Sequence, residues 1–322
     1  MKKVLISMII LAVGVCAKAQ SLTATLQQGD VITPYYGADA FVDAYKAAED
    51  GANITLSPGS FNLPWYSRIQ KSITIIGSGA YGSDEAKTFL EGLHLESSNI
   101  RVEGVYVTTE LTVDNTSANS KIAHCYLNGF NSGGNTSNTI VDQCTISDLN
   151  SDDGTNTCIK NCIIKEYKYG NKNSVATFLN CLIYKGPYML DSHNDIFRNC
   201  VIGLNESEWQ LKSPGEYYNN VFFYFDNDAT HKDELLNITY GVGCVHEGNT
   251  IDTYQNLLGG TLDLSAFPTT TAKGDDNTKV GPEGGSGFKL YPAIPRITSK
   301  TIDRQTNAQG QINVSITVQA EE

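Results

Sequence analysis

Ile159-Lys-Asn-Cys-Ile-Ile164 is one of six copies of the pattern apolar–x–(Asn/Gln/His)–Cys–x–apolar. The copies recur at a nearly constant spacing, as the positions of Cys125, Cys144, Cys162, Cys181 and Cys200 show. A fixed period of this kind is typical of stacked structural units, none of which can bury its own apolar face alone. The copies span Ile122–Leu127, Val141–Ile146, Ile159–Ile164, Phe178–Ile183, Phe197–Ile202 and Tyr217–Phe222, the last with Asn220 in place of Cys.

Within each copy, Cys-x-apolar has the period of two that places both residues on one face of a strand. The preceding Asn breaks this alternation, and Asn suits a corner because it tolerates the left-handed backbone region. The pattern therefore predicts an all-β fold, a right-handed single-stranded parallel β-helix in which equivalent residues of neighbouring coils stack. One predicted inward stack contains the cysteines Cys125, Cys144, Cys162, Cys181 and Cys200. The predicted corner stack contains His124, Gln143, Asn161, Asn180, Asn199 and Asn219, whose amides could bond along the stack.

The stacked cysteines are expected to be free, buried thiols. In-register strands hold equivalent residues about 4.8 Å apart, which is longer than the roughly 3.8 Å between Cβ atoms that a disulfide prefers. A metal site would need cysteines that converge in three dimensions, not a straight stack.

Four segments follow from composition and periodicity. Residues 1–19 read as a signal peptide, with two early lysines, an apolar run from Val4 to Val15 and a small-x-small cleavage site ending at Ala19. Residues 20–50 should hold a strand and a helix that caps the first coil, and the apolar spacing predicts that helix over Asp39–Asp50 with Phe41, Val42, Tyr45 and Ala48 on one face. Residues 51–252 should form the β-helix, and residues 253–322 an irregular segment and a β-hairpin tail. We expect an exported protein, periplasmic, at the cell surface or extracellular, with lipoprotein anchoring through Cys16 as the less favoured alternative.

Charge narrows the range of partners. Removal of residues 1–19 takes away three lysines and leaves 20 basic against 35 acidic residues, a net charge of −15. This field disfavours nucleic acids, and an acidic polysaccharide would need a bridging cation or a local basic patch. No other run is apolar enough for a transmembrane segment, and we expect a monomer.

The register of the repeat suggests one candidate catalytic or binding cluster. Ten or twelve residues after a cysteine position lie Lys172, Asp191, His193 and Lys212. Strand alternation would place them in one outward column on neighbouring coils, where Lys or His could act as a general base. The plain alternative is a solvated surface with a few salt bridges.

Two other features are compatible with ligands. The stretch Asp148–Gly154 offers Asp148, Asp152 and Asp153 as oxygen ligands for Ca²⁺, although an ordinary polar turn explains it as well. Five aromatic residues would form platforms for sugars if exposed and would fill the core if buried: Tyr167, Tyr169, Tyr184, Tyr188 and Trp209.

The entry to the repeat resembles that of pectate-lyase-like β-helix proteins. The resemblance covers roughly residues 38–252 and includes Asp43–Gly51, Ile54–Phe61, Lys71–Gly77 and the copies of Val141–Ser147. It is specific for the fold, and the chain looks most like secreted bacterial β-helix proteins of unknown role. Pectate-lyase-type enzymes use Ca²⁺-binding acids and a catalytic Arg or Lys, and no such Arg motif is matched here.

Two functions therefore remain open. The first is a secreted or surface-located protein that binds extracellular polysaccharide. The second is a polysaccharide lyase or glycoside hydrolase that acts on an acidic glycan with the help of Ca²⁺. No cofactor is expected under the first, and Ca²⁺ stays open under the second.

Overall fold

The computed structural model describes residues 22–64, 67–133, 136–151, 155–170, 175–186, 194–204, 216–224, 241–246, 272–290, 296–302, 309–311 and 314–319. Within these ranges the chain alternates between two sheets, and each coil contributes to one and then the other. Sheet A contains β1 (Thr23–Gln28), β2 (Val31–Tyr36), β3 (Asn53–Leu56), β6 (Thr74–Ile76), β9 (Arg101–Glu103), β11 (Lys121–Ala123), β13 (Ile140–Asp142), β15 (Thr155–Lys160), β17 (Val175–Leu179), β19 (Ile196–Arg198), β21 (Glu216–Tyr218) and β23 (Gly241–Val242).

Sheet B faces it across the core and is parallel throughout its described strands. It contains β4 (Gly59–Ser60), β5 (Ser67–Ile69), β7 (Thr88–Leu90), β8 (Leu93–Leu95), β10 (Tyr106–Val113), β12 (Tyr126–Ser132), β14 (Thr145–Ser151), β16 (Ile163–Gly170), β18 (Leu182–Lys185), β20 (Val201–Leu204), β22 (Val221–Tyr224) and β24 (Val245–His246). Sheet A is parallel from β3 onward, which confirms the predicted parallel β-helix.

Inward stacks form as the repeat predicts. On sheet A, Ile122 pairs in register with Val141 and then Ile159, and the stack continues through stacked Phe178, Phe197 and Tyr217 rings. The five cysteines between the sheets are fully buried and free. The amide of Cys144 donates to the sulfur of Cys162 at 3.4 Å, so this thiol helps to satisfy the backbone of the coil before it. The predicted free thiols are confirmed.

The predicted corner residues all have left-handed backbone conformations. Their φ angles are 52° at His124, 55° at Gln143, 49° at Asn161, 50° at Asn180, 55° at Asn199 and 52° at Asn219. A second corner, which the cysteine repeat does not reveal, lies just before or at the start of strands of sheet A, at Asn99, Asn119, Asn138 and Asn156, with φ between 57° and 61°. The predicted amide bonding between coils occurs at this second corner, where the Asn138 amide donates to Asn119 at 3.2 Å.

At the first corner, the side-chain amides of Gln143, Asn161 and Asn199 bind the chain's own C-terminal region, which corrects the prediction that the corner amides bond to one another. Residues 272–290, here called the strap, run back along this corner toward the N-terminal end. The Asn161 amide nitrogen donates to the carbonyls of Pro282 (3.1 Å) and Gly284 (2.7 Å), and Ser286 donates to its oxygen (3.0 Å). Toward one end of the strap, Asp275 accepts from Asn199 at 2.8 Å.

The strap was expected only as an irregular segment, and its glycines show why it is rich in them. A Cβ added at Gly285, where φ is +57°, would lie 2.4 Å from the Asn180 amide nitrogen. A Cβ at Gly274 would lie 2.6 Å from the Asn199 side chain. Glycine therefore allows the backbone to approach the corner closely.

The first coil is capped by an antiparallel β1–β2 hairpin and by helix α1 (Ala40–Ala47), shorter than the predicted Asp39–Asp50. Phe41 and Ala44 are buried in the main core, while Val42, predicted on the same face, is only half-buried. Lys71 donates to the carbonyls of residues 45, 46 and 48, which satisfies the end of the helix. The prediction of a helical cap is confirmed.

The predicted C-terminal hairpin is present as β25 (Arg296–Ile302) paired antiparallel with β26 (Val314–Gln319). No helix among the described residues is long and apolar enough to cross a membrane.

Candidate functional site

Most of the sequence-predicted site residues lie outside the described part of the chain. These are Lys172, Asp191, His193 and Lys212 of the proposed cluster and Asp152 and Asp153 of the proposed Ca²⁺ site. Their convergence stays a prediction. The aromatic residues Tyr188 and Trp209 also lie outside the described part.

The structure corrects the environment of Asp148. It lies in strand β14, not in a loop, and the following Leu149 is fully buried. Asp148 pairs in register with Glu166 of the next coil, and both side chains are half-exposed. Two carboxylates thus lie side by side on the outside of sheet B. Of the predicted sugar platforms, Tyr167 and Tyr184 are buried and fill the interior or the strap contact.

One outward column of residues runs along sheet B, and its residues change from aromatic to aliphatic along the solenoid. Strand pairing places its members in register as Ser60, Phe89, Tyr106, Tyr126, Thr145, Ile163, Leu182, Val201 and Val221. The last four are buried in a second apolar cluster that includes Val280 and Phe288 of the strap. The three aromatic residues remain half-buried. The strap therefore covers one half of the column, and the aromatic half stays partly open.

The open half is a stack of rings on consecutive coils. Tyr106 and Tyr126 are parallel with ring centroids 4.5 Å apart, and Phe89 lies 5.2 Å from Tyr106. The far end is closed by Tyr81, which meets Tyr126 edge-on at 6.5 Å. Burial, followed by the contact with Tyr126, raises the pKa of Tyr106. The contacts between neighbouring rings hold the stack in place, and Phe89 is its terminal ring.

A shallow depression lies next to Phe89 because the column begins with a small residue. Ser60 pairs with Phe89 on the preceding coil and is too short to cover the ring. The depression has a volume of about 470 Å³ and is lined by Gly59, Ser60, Asp84, Glu85, Phe89 and Thr108. These six residues are here called the aromatic depression. Its chemistry combines one apolar ring face with two carboxylates and two hydroxyl groups.

A short 3₁₀ helix, Asp84–Ala86, supplies the acidic side of the depression. Lys87 binds Asp84 at 3.0 Å, and its ammonium also lies 5.6 Å from the centroid of Tyr106. The lysine thus links the acidic turn to the aromatic stack, while Glu85 remains exposed.

A second polar group lies at the other end of β10. His94 and Thr112 pair in register, and Thr112 lies six positions after Tyr106 along β10, so the two groups are about 20 Å apart. The ligand atoms of His94, Glu96 and Asp114 all lie within 4.8 Å of one another. Burial raises the pKa of Asp114, but hydrogen bonds from the backbone and hydroxyl of Thr116 and from His94 outweigh that effect and lower it.

The sequence contained signals for both groups. Phe89, Tyr106 and Tyr126 recur at intervals close to the coil period. His94 and Glu96 follow the alternation that marks an outward face. Only Tyr126 lies in a copy of the cysteine motif, because the other residues of both groups belong to the earlier coils, where the repeat is least regular.

Comparison with known proteins gives no further assignment: no protein-family model, curated protein or solved structure matches the chain.

Proposed function

We propose that this is an exported protein of the pectate-lyase-like β-helix type that binds extracellular polysaccharide at the aromatic depression. The observation that supports it most directly is the terminal ring of the outward aromatic stack, Phe89, which borders an open depression beside carboxylates and hydroxyls. A sugar ring has an apolar C–H face and a rim of hydroxyl groups. It therefore matches a surface that offers an aromatic face and hydrogen-bond acceptors together.

The charges favour a neutral glycan. Glu85 is exposed, Asp84 is only partly neutralised by Lys87, and the whole chain has a net charge of −12. Carboxylates accept strong hydrogen bonds from sugar hydroxyls and repel the carboxylate of a uronic acid. Neutral hexose or pentose polymers are therefore the preferred ligands, and an acidic glycan would need a bridging cation.

A glycan array tests the proposal. The purified protein should bind a subset of neutral oligosaccharides, and Phe89→Ala should reduce that signal. Tyr36→Ala is the matched control, because Tyr36 is a highly exposed aromatic residue on the edge strand β2. Equal loss in both variants, or unchanged binding in Phe89→Ala, would contradict the proposed site.

A hydrolase acting on a glycan is the second candidate, and the register pair Asp148 and Glu166 favours it. Neighbouring strands place their Cα atoms about 4.8 Å apart, and retaining glycosidases hold two carboxyl groups about 5 Å apart. Release of reducing ends from an array-selected polysaccharide, lost in Glu166→Gln, would support hydrolysis. Ultraviolet absorbance from unsaturated uronates would instead support a lyase.

A further inference from the structure

We propose that His94, Glu96 and Asp114 form a binding site for one divalent transition-metal ion of the Zn²⁺ or Co²⁺ class on the outer face of sheet B. The inference is independent of glycan binding. It concerns a histidine and two carboxylates that neither the repeat nor the aromatic depression involves.

The strand register brings the three residues together. His94 is in β8 and Glu96 follows that strand, with fully buried Leu95 between them, so both project outward. Asp114 directly follows β10, whose Val113 pairs with Leu95. Buried apolar residues on both strands therefore anchor the positions from which the three side chains extend.

The distances are close to those of a metal site. His94 Nε2 lies 3.1 Å from Asp114 Oδ2, and all three ligand atoms lie within 4.8 Å of one another. Ligands about 2.0–2.1 Å from a tetrahedral metal are separated by about 3.3 Å. Closing the site thus needs shifts of about 1.5 Å, which half-buried side chains can make by small rotations.

Neighbouring groups orient both carboxylates. The backbone amide and hydroxyl of Thr116 each donate to Asp114 Oδ1 at 3.0 Å, which leaves Oδ2 directed at His94. Gln70 donates to Glu96 Oε2 at 2.7 Å. Such outer partners fix the orientation of ligands in metal sites.

Arg68 is the competitor for this site. It binds Glu96 Oε1 at 2.8 Å, and its own side chain is 64% exposed. A cation that binds Glu96 must displace or weaken this ion pair. The exposed guanidinium keeps the pair partly solvated although Glu96 is only 14% exposed, and this solvation limits the cost of displacing Arg68. Removal of Arg68 should therefore strengthen metal binding, whereas a purely structural salt-bridge cluster would gain nothing from its loss.

The donor set selects the class of metal. Ca²⁺ takes six to eight oxygen ligands, while Zn²⁺ and Co²⁺ accept imidazole nitrogen together with carboxylate oxygen. Three protein ligands leave at least one coordination position for water.

The test is titration of untagged, chelator-treated full-length protein with Zn²⁺, measured by competition with a chromogenic chelator, and with Co²⁺, measured by visible absorption. We expect one equivalent per chain bound through these residues, at least tenfold weaker binding in His94→Ala and Asp114→Asn, and about three- to tenfold tighter binding in Arg68→Ala. His124→Asn is the matched control, because it removes another histidine and installs the residue used at other coils of the corner.

Three results would overturn the proposal. The first is that the protein takes up neither metal when the metal is in 100-fold excess over protein. The second is that uptake is unchanged in both His94→Ala and Asp114→Asn. The third is that Arg68→Ala binds the metal more weakly than wild type. Circular dichroism of each variant separates loss of the site from loss of the fold, and Asp114→Asn keeps the shape of the side chain.

Discussion

Asn161 connects the repeat to the strap, and its replacement by glycine should release the strap locally. Glycine keeps the left-handed conformation that the corner requires, φ 49° in the native chain. It removes only the side chain of a residue that is 2% exposed. The substitution therefore tests the amide and not the corner geometry.

The magnitude follows from the bonds lost. The Asn161 side chain makes three hydrogen bonds to the strap, at 3.1 Å to Pro282, 2.7 Å to Gly284 and 3.0 Å to Ser286. Each contributes about 0.5–1.5 kcal/mol net, so strap opening should become easier by about 1.5–4.5 kcal/mol, with about 3 kcal/mol as the central value. That central value corresponds to a roughly 140-fold loss of protection at about 1.4 kcal/mol per tenfold.

Hydrogen–deuterium exchange of strap peptides measures this opening directly. The matched control is Asn138→Gly at the second corner, where φ is 57° and the exposed amide binds only Asn119 among the contacts described. The entropic cost of glycine is common to both variants. Strap exchange in Asn138→Gly should stay within about fivefold of wild type. Equal loss of protection in the two variants, or none in Asn161→Gly, would refute the role of the amide.

Two further predictions concern the cysteines and the strap. Thiol titration of unreduced protein should show reaction at Cys158 and Cys244 before denaturation, since only these two of the described cysteines are partly exposed. Denaturant should then reveal the five stacked thiols, and a shortfall would indicate disulfides. Acid should loosen the strap, because a hydrogen bond from Asn199 lowers the pKa of Asp275 from its ordinary value. A carboxyl group whose pKa is lower in the folded than in the unfolded chain stabilises the folded state fully when the pH is above the unfolded-state pKa. That stabilisation is lost as the pH falls through the folded-state pKa. Strap exchange should therefore rise below about pH 4, and Asp275→Asn should remove that part of the pH dependence.

The sequence predicted the solenoid well because a corner is a local property. An asparagine in a left-handed conformation followed by a small buried cysteine imposes the same geometry at every coil, so each further copy of the pattern supports the same fold independently. Asn220 takes the place of a stacked cysteine in the last copy and fulfils the same role. Its side-chain oxygen accepts a hydrogen bond from the Cys200 amide at 2.8 Å, as a cysteine sulfur does in other coils. Its side chain then also donates to Phe197 at 2.9 Å.

The strap could not be predicted because it depends on contacts between segments far apart in sequence, such as the one from Asn199 to Asp275. One signal was present. The residue after each cysteine should face outward, yet it is Ile163, Leu182 and Val201 in successive copies. Outward aliphatic residues in register indicate a covering segment. The sequence does not say which segment covers them, since that depends on how a glycine-rich chain matches the corner.

The aromatic stack was missed for a related reason. A fixed offset from the cysteines aligns equivalent residues of neighbouring coils only where the intervening loops have equal lengths. Phe89, Tyr106 and Tyr126 lie within paired strands, but they are unequally spaced in the sequence because the connecting segments differ in length. A search at one fixed spacing therefore does not align them. Strand registration is therefore the better guide to outward clusters in this fold.

The most direct test of the central claim is the dissociation constant of the array-selected oligosaccharide for wild type and Phe89→Ala, measured by isothermal titration calorimetry. Loss of the ring contact in Phe89→Ala should cost about 1–2 kcal/mol of binding free energy, which is a 5- to 30-fold weaker affinity. The control Tyr36→Ala should keep the affinity and the melting temperature of wild type. Affinities of wild type and Phe89→Ala that agree within twofold would contradict recognition of glycans at the aromatic depression.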